Sequence, residues 1–275
     1  MKKAVTSTST RKPSGNAEKE TLASRIAFLE ETVDRLYWLR FYGKDRGKPR
    51  RRQVKTTVAQ VKYVRATSDG WLLVKTGGST ESIPSGLKVS LTGSSGGRDS
   101  GTISEGALDG ETFDVASGNL EASYRRVSDL KMKVVTTSSG PVVIDGIEYD
   151  LEVSMTYTES SAKKSLGPFP AKTDPDNPLP DGDHLVSIAD FPHSLGSAYG
   201  AHGTVWFRLG TSGDRYLHPG KFSAGCLTCA PGNWEKIYQV VHCARKSSTI
   251  AGDLNFAPSM TVATVTARRG RKAPA

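Results

Sequence analysis

The sequence contains few cysteines and no long apolar run, and each absence excludes a class of protein. Three cysteines among 275 residues are too few for a disulfide scaffold, and their odd number leaves at least one thiol unpaired within the chain. No stretch reaches the roughly 18 apolar residues of a membrane-spanning helix, so we expect no membrane span. Wholesale disorder is excluded as well, because 36% of the residues are hydrophobic and several segments contain dense runs of Val, Ile and Leu.

Positive charge is concentrated at the two ends of the chain. Residues 1–55 carry 15 Lys and Arg against six Asp and Glu, a net of +9, and four further basic residues lie in 268–272. Since the whole chain has a formal net charge of +9, the segment 56–267 has a net charge of −4. The basic balance therefore describes the ends and not the region that we expect to fold.

The first residues are basic, as they are in many secretory signal peptides, but no apolar stretch follows them. We therefore expect no Sec signal, cytoplasmic synthesis and a disordered tail over 1–17. A second basic tail is expected at 269–275.

Regular apolar spacing predicts a helix that ends near Gly43. Steps of four and three residues are those of a coiled coil, and they separate Leu22, Ile26, Leu29, Val33 and Leu36. About two and a half heptads can form either one amphipathic helix packed on its own domain or an oligomerising coil. The narrow stripe favours a coiled coil over 18–43, so we expect a homo-oligomer assembled through residues 22–40.

A basic run at 44–55 follows the predicted coil. Such runs bind polyanions, and the binding releases counterions. A nucleic acid or an anionic envelope surface is therefore a conceivable partner for this run. No stacking aromatic side chains are interleaved with the basic residues, and the run matches no recognised nucleic-acid-binding motif. We interpret 44–55 as a linker and do not expect nucleic acid as a partner.

Residues 56–127 are predicted to form a small β module. The expected elements are strands at 58–65, 71–75 and 87–91, and a Gly- and Ser-rich mobile loop or domain boundary at 92–110. Asp69-Gly70 is typical of a two-residue turn, so the first two strands are predicted to form a hairpin.

Residues 128–268 are predicted to form a second β-rich region with one main helix. Alternating apolar side chains at 130–134 predict a half-buried strand, and Asp145-Gly146 predicts a hairpin turn. The other expected elements are strands at 142–144, 147–155, 185–188, 204–209 and 260–267, a proline-rich crossing loop at 168–180 and a helix capped by Asn233. The predicted fold class is mainly β, with a coiled-coil helix at the amino terminus.

The densest chemical signal surrounds Cys226. A thiol becomes a nucleophile when a base takes its proton, and His218 lies eight residues upstream across a Pro-Gly turn. Gly225 lets the backbone approach a substrate, so amides near Cys226 can stabilise an oxyanion. Ser223 can orient the imidazole or a substrate carbonyl, and Lys221 can attract a carboxylate or favour the thiolate.

Other interpretations of these residues stay open. Cys226 can be a buried structural thiol, and with Cys229 it forms a C-x-x-C pair, which is typical of redox and zinc sites. His242 and Cys243 could add two ligands, but the spacing fits no common zinc pattern, so we expect no metal and no cofactor. His202, in a His-Gly pair 24 residues before Cys226, is the alternative base. Two further histidines are expected to be surface or loop residues and not ligands: His184 and His193.

The pattern of His218, Ser223, Gly225 and Cys226 resembles the H…S-x-G-C signature of L,D-transpeptidase catalytic domains. The short interval is most similar to the compact variants in phage-associated and interbacterial-toxin relatives. The segment 178–188 is similar to the family's P-x-P-x-G-x-aromatic-x-I stretch. The family usually has Arg two positions after the cysteine, where this chain has Thr228.

The resemblance covers residues 128–268 and implies a cysteine acyltransferase or peptidase that acts on peptidoglycan stem peptides. It would work through a Cys226 acyl-enzyme, as an L,D-transpeptidase or an L,D-carboxypeptidase. The expected catalytic residues are Cys226, His218, Ser223 and Gly225. The expected substrate-binding residues are Lys221, His202 and Thr228.

Without a Sec signal, delivery to the cell wall by a virion, a contractile injection particle or a toxin secretion system is expected. The alternative is a structural or attachment component of a phage tail or contractile injection particle, whose carboxy-terminal domain binds the cell wall without catalysis. Thr228 favours this alternative, whereas the intact His, Ser, Gly and Cys set favours the enzyme. A third and weaker hypothesis is polyanion binding by residues 44–55.

Overall fold

The computed structural model describes residues 59–210 and 215–245, together with the backbone of a strand at 261–268. Of the described residues, 50% lie in strands and 9% in helices, so the chain is mainly β, as its sequence predicts. The predicted coiled coil at 18–43, the linker at 44–55 and both predicted tails lie outside the described residues.

Seven strands form an amino-terminal sheet. They are β1 (Gln60–Val64), β2 (Trp71–Thr76), β3 (Ser79–Pro84), β4 (Lys88–Ser95), β5 (Arg98–Ile103), β6 (Thr112–Ala116) and β7 (Leu120–Glu121). Their order in the sheet is β3-β2-β6-β5-β4-β1-β7. Apolar side chains from several of these strands are almost wholly buried and form one side of the core: Val64, Val74, Ile83, Val89 and Ile103.

The predicted hairpin around Asp69-Gly70 is wrong. The turn itself forms, since the Gly70 amide donates to the Thr67 carbonyl at 3.3 Å, but β1 pairs with β4 and β7. Strand β2 instead pairs with β3 across Gly77-Gly78, two residues that both have a positive φ. A tight two-residue hairpin turn of this kind needs a positive φ at both central residues. Gly77 and Gly78 both meet this requirement, whereas at Asp69-Gly70 only the glycine does.

The predicted mobile loop at 92–110 is also wrong over its first half. Strands β4 and β5 form an antiparallel hairpin across Gly96-Gly97, again with both φ angles positive. A composition rich in Gly and Ser is shared by flexible loops and by tight turns flanked by polar strands. The sequence alone did not separate these two structures.

Ten strands and one α-helix follow among the described residues. They are β8 (Ser128–Thr136), β9 (Val142–Ile144), β10 (Ile147–Tyr149), β11 (Leu151–Glu159), β12 (Ala162–Lys172), β13 (Gly182–Ser187), β14 (Phe207–Arg208), β15 (Tyr216–Pro219), β16 (Leu227–Cys229), β17 (Thr261–Arg268) and α1 (Trp234–Val241). Eight strands form the carboxy-terminal sheet, in the order β13-β17-β8-β11-β12-β16-β15-β14, while β9 and β10 form a separate hairpin. Short 3-10 helices cover Ser194–Tyr199 and Pro231–Asn233.

Several predictions for this region are confirmed. Strand β8 buries alternate residues, β9 and β10 pair across Asp145-Gly146, and β17 closes the sheet between β13 and β8. Two are wrong. Strand β12 continues to Lys172 through two prolines of the predicted loop, because the Pro170 carbonyl still accepts a hydrogen bond from Ala230. Asn233 precedes the helix but its side chain makes no capping bond.

The two sheets share one apolar core. A single cluster of buried side chains extends from Leu87 in the amino-terminal half to Ile188 and Tyr238 in the carboxy-terminal half. A half-buried ion pair joins the same halves, with Arg245 Nη2 at 2.7 Å from Glu105 Oε1. In the described part of the chain, no helix has the length and apolar character needed to cross a bilayer.

Candidate active site

Strand pairing brings the predicted nucleophile and base to one face of the carboxy-terminal sheet. Strands β15 and β16 run parallel, with His218 opposite Thr228. This register places Tyr216 beside Cys226, and the Tyr216 amide donates to Cys226 Sγ at 3.3 Å. Because side chains alternate along a strand, Cys226 and His218 point to the same face.

One indole ring covers both groups. The Trp206 ring stacks on the His218 ring with 4.2 Å between centroids and 22° between planes. The same indole packs on Cys226 and Tyr216 in a small buried cluster. Only 7% of Cys226 and 6% of His218 is exposed. Cys226 and His218 are therefore both buried, and both lie against the Trp206 ring.

The hydrogen bonds of His218 define its tautomer. Nδ1 lies 2.9 Å from the Pro219 carbonyl, which can only accept, so Nδ1 carries the proton. Nε2 therefore has the lone pair, and it accepts from the Thr228 hydroxyl at 3.0 Å. Burial lowers the pKa of His218 to about 4, with a smaller contribution from His193. At neutral pH the ring is uncharged and Nε2 is free of a proton.

Thr228 supports the imidazole from a fully buried position. Its exposed fraction is 0%, and its hydroxyl lies 3.2 Å from the Phe222 carbonyl as well as near His218. A hydroxyl has one proton to donate, so the two acceptors compete for it. The sequence assigned Thr228 to substrate binding, but the structure places it behind the base.

An arginine that sequence reasoning missed holds the turn before Cys226. The Arg215 guanidinium donates to the Gly225 carbonyl, to the Pro178 carbonyl at 3.1 Å and to Asn177 Oδ1 at 2.7 Å. Such charge-assisted bonds are stronger than neutral ones. The bonds join segments far apart in sequence, so no local motif pointed to Arg215 or Asn177.

Ser223 and Tyr149 fix the other side of the same turn. The Ser223 hydroxyl donates to the Cys226 carbonyl at 2.9 Å, so it orients the backbone of the nucleophile and not the imidazole. The buried Tyr149 hydroxyl donates to the Gly220 carbonyl at 2.9 Å. The two ends of the segment 220–226 are thereby tied to the sheet.

Lys221 and His202 lie apart from the thiol. Lys221 Nζ is 3.4 Å from Asp145 Oδ2 in an exposed pair, at the rim of the site. His202 Nδ1 is 2.8 Å from Glu235 Oε2, and its ring stacks on Tyr238. The structure therefore brings His218, and not the alternative base His202, to the face that carries Cys226.

A buried polar group lies behind Trp206, and sequence reasoning missed it. His193 is predicted as a surface or loop histidine; it does lie in a loop but has 0% exposure, because its ring stacks on Trp206 with centroids 4.3 Å apart. Asp190 Oδ1 lies 3.4 Å from His193 Nε2, and Asp190 Oδ2 accepts from the Tyr216 hydroxyl at 3.3 Å. Nothing in the spacing of these residues signalled that they would converge.

The other two cysteines have different surroundings. All three cysteines are free thiols, and burial raises the pKa of Cys229 to about 12 and that of Cys243 to about 11. Cys229 belongs to the main core, on the opposite face of β16 from Cys226, which does not suit a C-x-x-C redox pair. Among the described residues, no group of three or more metal-binding side chains comes together.

No family model matches the chain, and no curated protein and no solved structure is significantly similar to it.

Replacing Gly225 by alanine is expected to destabilise the fold by about 1–3 kcal/mol, because a side chain is strained at a positive φ. Gly225 has a φ of +104°, and an added Cβ would lie 2.8 Å from Arg215 Nη1 and from Asn177 Nδ2. Urea unfolding measures the loss.

The matched control is Gly232→Ala. A Cβ at Gly232 would meet no atom within 4 Å, so that variant is expected to stay within about 0.5 kcal/mol of the parent. Equal unfolding midpoints for the two variants would contradict the proposed constraint at Gly225.

Stability is expected to fall as the pH drops from neutral toward 4. The His218 pKa of about 4 in the fold lies below the value of about 6.5 in an unfolded chain. Between these values the unfolded state binds a proton that the folded state does not, so acid favours unfolding. At pH 5 the His218 contribution is about 2 kcal/mol relative to pH 7.5.

Urea midpoints at pH 7.5 and pH 5 measure this loss. In His218→Gln the loss between the two pH values is expected to be smaller by about 2 kcal/mol. The same pH dependence in His218→Gln and in the parent would rule out the assigned cause.

Proposed function

We propose that the chain is a cysteine acyltransferase or peptidase acting on peptidoglycan stem peptides, as an L,D-transpeptidase or L,D-carboxypeptidase. The observation that carries the proposal is the placement of Cys226 and His218 on one face of the sheet beneath Trp206. Two further features support the proposal: His218 Nε2 has a lone pair that can accept a proton, and Cys226 Sγ accepts a hydrogen bond from the Tyr216 amide.

The first step is proton transfer and attack. His218 Nε2 takes the proton of the Cys226 thiol after the Thr228 hydroxyl turns to its second acceptor, the Phe222 carbonyl. The sulfur then attacks the carbonyl carbon of the L,D bond in a tetrapeptide stem. A sulfur–carbon bond forms, and the electron pair of the carbonyl moves to its oxygen.

The second step releases D-alanine. The carbon–nitrogen bond of the intermediate breaks, and the His218 imidazolium gives its proton to the departing amine. The remaining stem is a thioester on Cys226. Water resolves it to a carboxylate in carboxypeptidation, and an amine resolves it to a new amide in transpeptidation, with His218 again as the base.

Arg215 can take the place of the arginine that the family usually has at the position of Thr228. The resemblance implies an Arg two positions after the cysteine, and that Arg is associated with holding the active-site loop or the substrate. In this chain the guanidinium that holds the loop comes from the residue before β15 and bonds the Gly225 carbonyl. We propose that Arg215 fills the loop-holding role, so that Thr228 is compatible with catalysis.

The buried state of the thiol favours a second candidate. Cys226 exposes only 7% of its surface, and the base nitrogen is already bonded to Thr228. Both features would suit a domain that binds cell wall as part of a phage tail or injection particle without catalysis. The two candidates differ in whether substrate is consumed.

The test uses the full chain, because the two sheets share one core. Purified disaccharide tetrapeptide is incubated with the protein, with and without a D-amino acid as acceptor, and products are followed by mass spectrometry. The enzyme proposal predicts D-alanine and disaccharide tripeptide in equal amounts, and an exchanged tetrapeptide if the acceptor is used. Binding to peptidoglycan with no D-alanine release at stoichiometric protein would support the attachment candidate and contradict the enzyme.

The proposed oligomeric state and the proposed route of delivery to the cell wall rest on the sequence alone. A homo-oligomer through residues 22–40 and delivery by a virion or secretion system both depend on segments outside the described residues. Sedimentation of the full chain at micromolar concentration tests the assembly, and a monomer there would contradict it.

A further inference from the structure

The turn before β2 makes polar contacts with the segment 202–206 of the carboxy-terminal half. The Trp71 indole nitrogen donates to Thr204 Oγ1 at 3.1 Å. His202 Nε2 lies 3.2 Å from the Thr67 carbonyl and donates to it, since a carbonyl can only accept. Trp71 is 7% exposed and Thr204 is half-buried, so the bond between them is partly shielded from water, and its loss would leave a partly buried donor without a partner.

The same turn also fits tightly in shape. A Cβ added to Gly70 would lie 2.6 Å from Val205 Cγ2, and the φ of Gly70 is +86°. Any side chain at Gly70 would therefore push against Val205. The backbone of the amino-terminal turn and the segment 202–206 are in direct contact.

The contacted segment is the one that carries Trp206. The Trp206 indole nitrogen donates to the Gly203 carbonyl at 2.9 Å. Thr204 and Val205 are the two residues between Gly203 and Trp206 in the chain. The Trp206 ring in turn stacks on His218 and packs on Cys226. A shift of Thr204 therefore moves the ring that confines the thiol and the imidazole.

We propose that the amino-terminal sheet is part of the catalytic apparatus, with Trp71 as a positioning residue that holds Trp206, through Thr204, against His218 and Cys226. The inference rests on the proposed function and gives a role to the sheet that the sequence left without one. Trp71 does not touch the reacting atoms. It fixes the orientation of the imidazole, and displacements of about 1 Å in such geometry can cost 100-fold in rate.

Two conservative variants of the full chain test the proposal. Trp71→Phe keeps an aromatic ring but removes the indole donor, and Thr204→Val removes the acceptor while keeping the shape. Each is expected to lower kcat about tenfold or more with KM changed less than about twofold, because geometry and not binding is altered. The double variant is expected to be no worse than the single ones, since both remove the same bond.

A structural readout accompanies the kinetics. The stacked Trp206 ring shields the His218 ring protons, so the His218 Cε1 proton resonates upfield in the parent and is assigned by its loss in His218→Gln. We expect it to move in Trp71→Phe and Thr204→Val. The control is Leu73→Ala, at a position of β2 whose side chain is 65% exposed, and it is expected to change neither kcat nor the resonance.

The two proposals can fail separately. An unchanged His218 resonance in folded Trp71→Phe and Thr204→Val proteins would overturn the positioning role, whether or not the chain turns over. A moved resonance in both variants, together with no D-alanine release by the parent, would support the positioning role while removing the enzyme. Equal loss of kcat in Leu73→Ala would also overturn the inference, because the effect would then be general.

Discussion

Cys226→Ala is expected to abolish D-alanine release, with a rate reduced by roughly 10⁴-fold or more, because no other group can form the acyl intermediate. The thiol is the group that receives the Tyr216 amide and lies beneath Trp206. Binding of the stem peptide is expected to survive, since alanine is smaller and leaves the Arg215 contacts to Gly225 in place. Turnover and binding are measured on the same preparations.

Cys229→Ala is the matched control for this loss. Cys229 lies three residues away and is 0% exposed in the main core, where burial raises its thiol pKa to about 12. Its replacement is expected to leave kcat within about threefold while reducing stability by about 1 kcal/mol through the small cavity. Similar turnover in Cys226→Ala and in the parent would remove Cys226 as the nucleophile.

His218→Gln is expected to lower kcat by about 10²–10⁴-fold, the usual contribution of a positioned base. In the parent, the lowered pKa of about 4 keeps the imidazole deprotonated at neutral pH. Activity is therefore expected to persist as the pH falls from 7 to 5 and to be lost as it falls through about 4. The variant is expected to lack this acid limb.

The pH profile distinguishes His218 from His202. His202 is bonded to Glu235 on another face of the domain, so His202→Gln is expected to retain the acid limb. If His202→Gln removed the limb and His218→Gln kept it, the assignment of the base would be reversed. The stability loss at low pH must be measured first, so that rates are compared only where each variant is folded.

Local patterns predicted the elements that depend on local chemistry. The alternation at 130–134 predicted β8, and Asp145-Gly146 predicted the β9–β10 hairpin, because side-chain periodicity and turn preference are properties of neighbouring residues. The hairpin across Gly77-Gly78 was missed because Asp69-Gly70 gave a competing turn signal. Choosing between two valid turns depends on which strands bury their apolar faces together, and that is a property of the whole sheet.

The residues of the candidate site also fall into those that a local motif predicted and those that only the tertiary fold brings together. A short motif located Cys226, His218, Ser223 and Gly225, since they lie within nine residues of sequence. Arg215 and Asn177 meet at Gly225 only because the chain folds back, and His193 reaches Trp206 only through tertiary packing. No spacing rule connects such residues.

Thr228 shows how an identified position can have an unforeseen role. The motif placed a substrate-contacting residue two positions after Cys226, and the strand register explains why this residue cannot easily reach substrate. It lies opposite His218 with no exposed surface. Its hydroxyl instead bonds Nε2 of His218, the proposed base.

Trapping the acyl group tests the central claim most directly. Disaccharide tetrapeptide is turned over in the presence of increasing hydroxylamine, which captures a thioester as a hydroxamate, and the products are separated by mass. The account predicts that the product divides between tripeptide and tripeptide hydroxamate, with the hydroxamate share rising with hydroxylamine, and that Cys226→Ala gives neither. D-alanine release that yields only the free tripeptide at every hydroxylamine concentration, or no release at all, would contradict it.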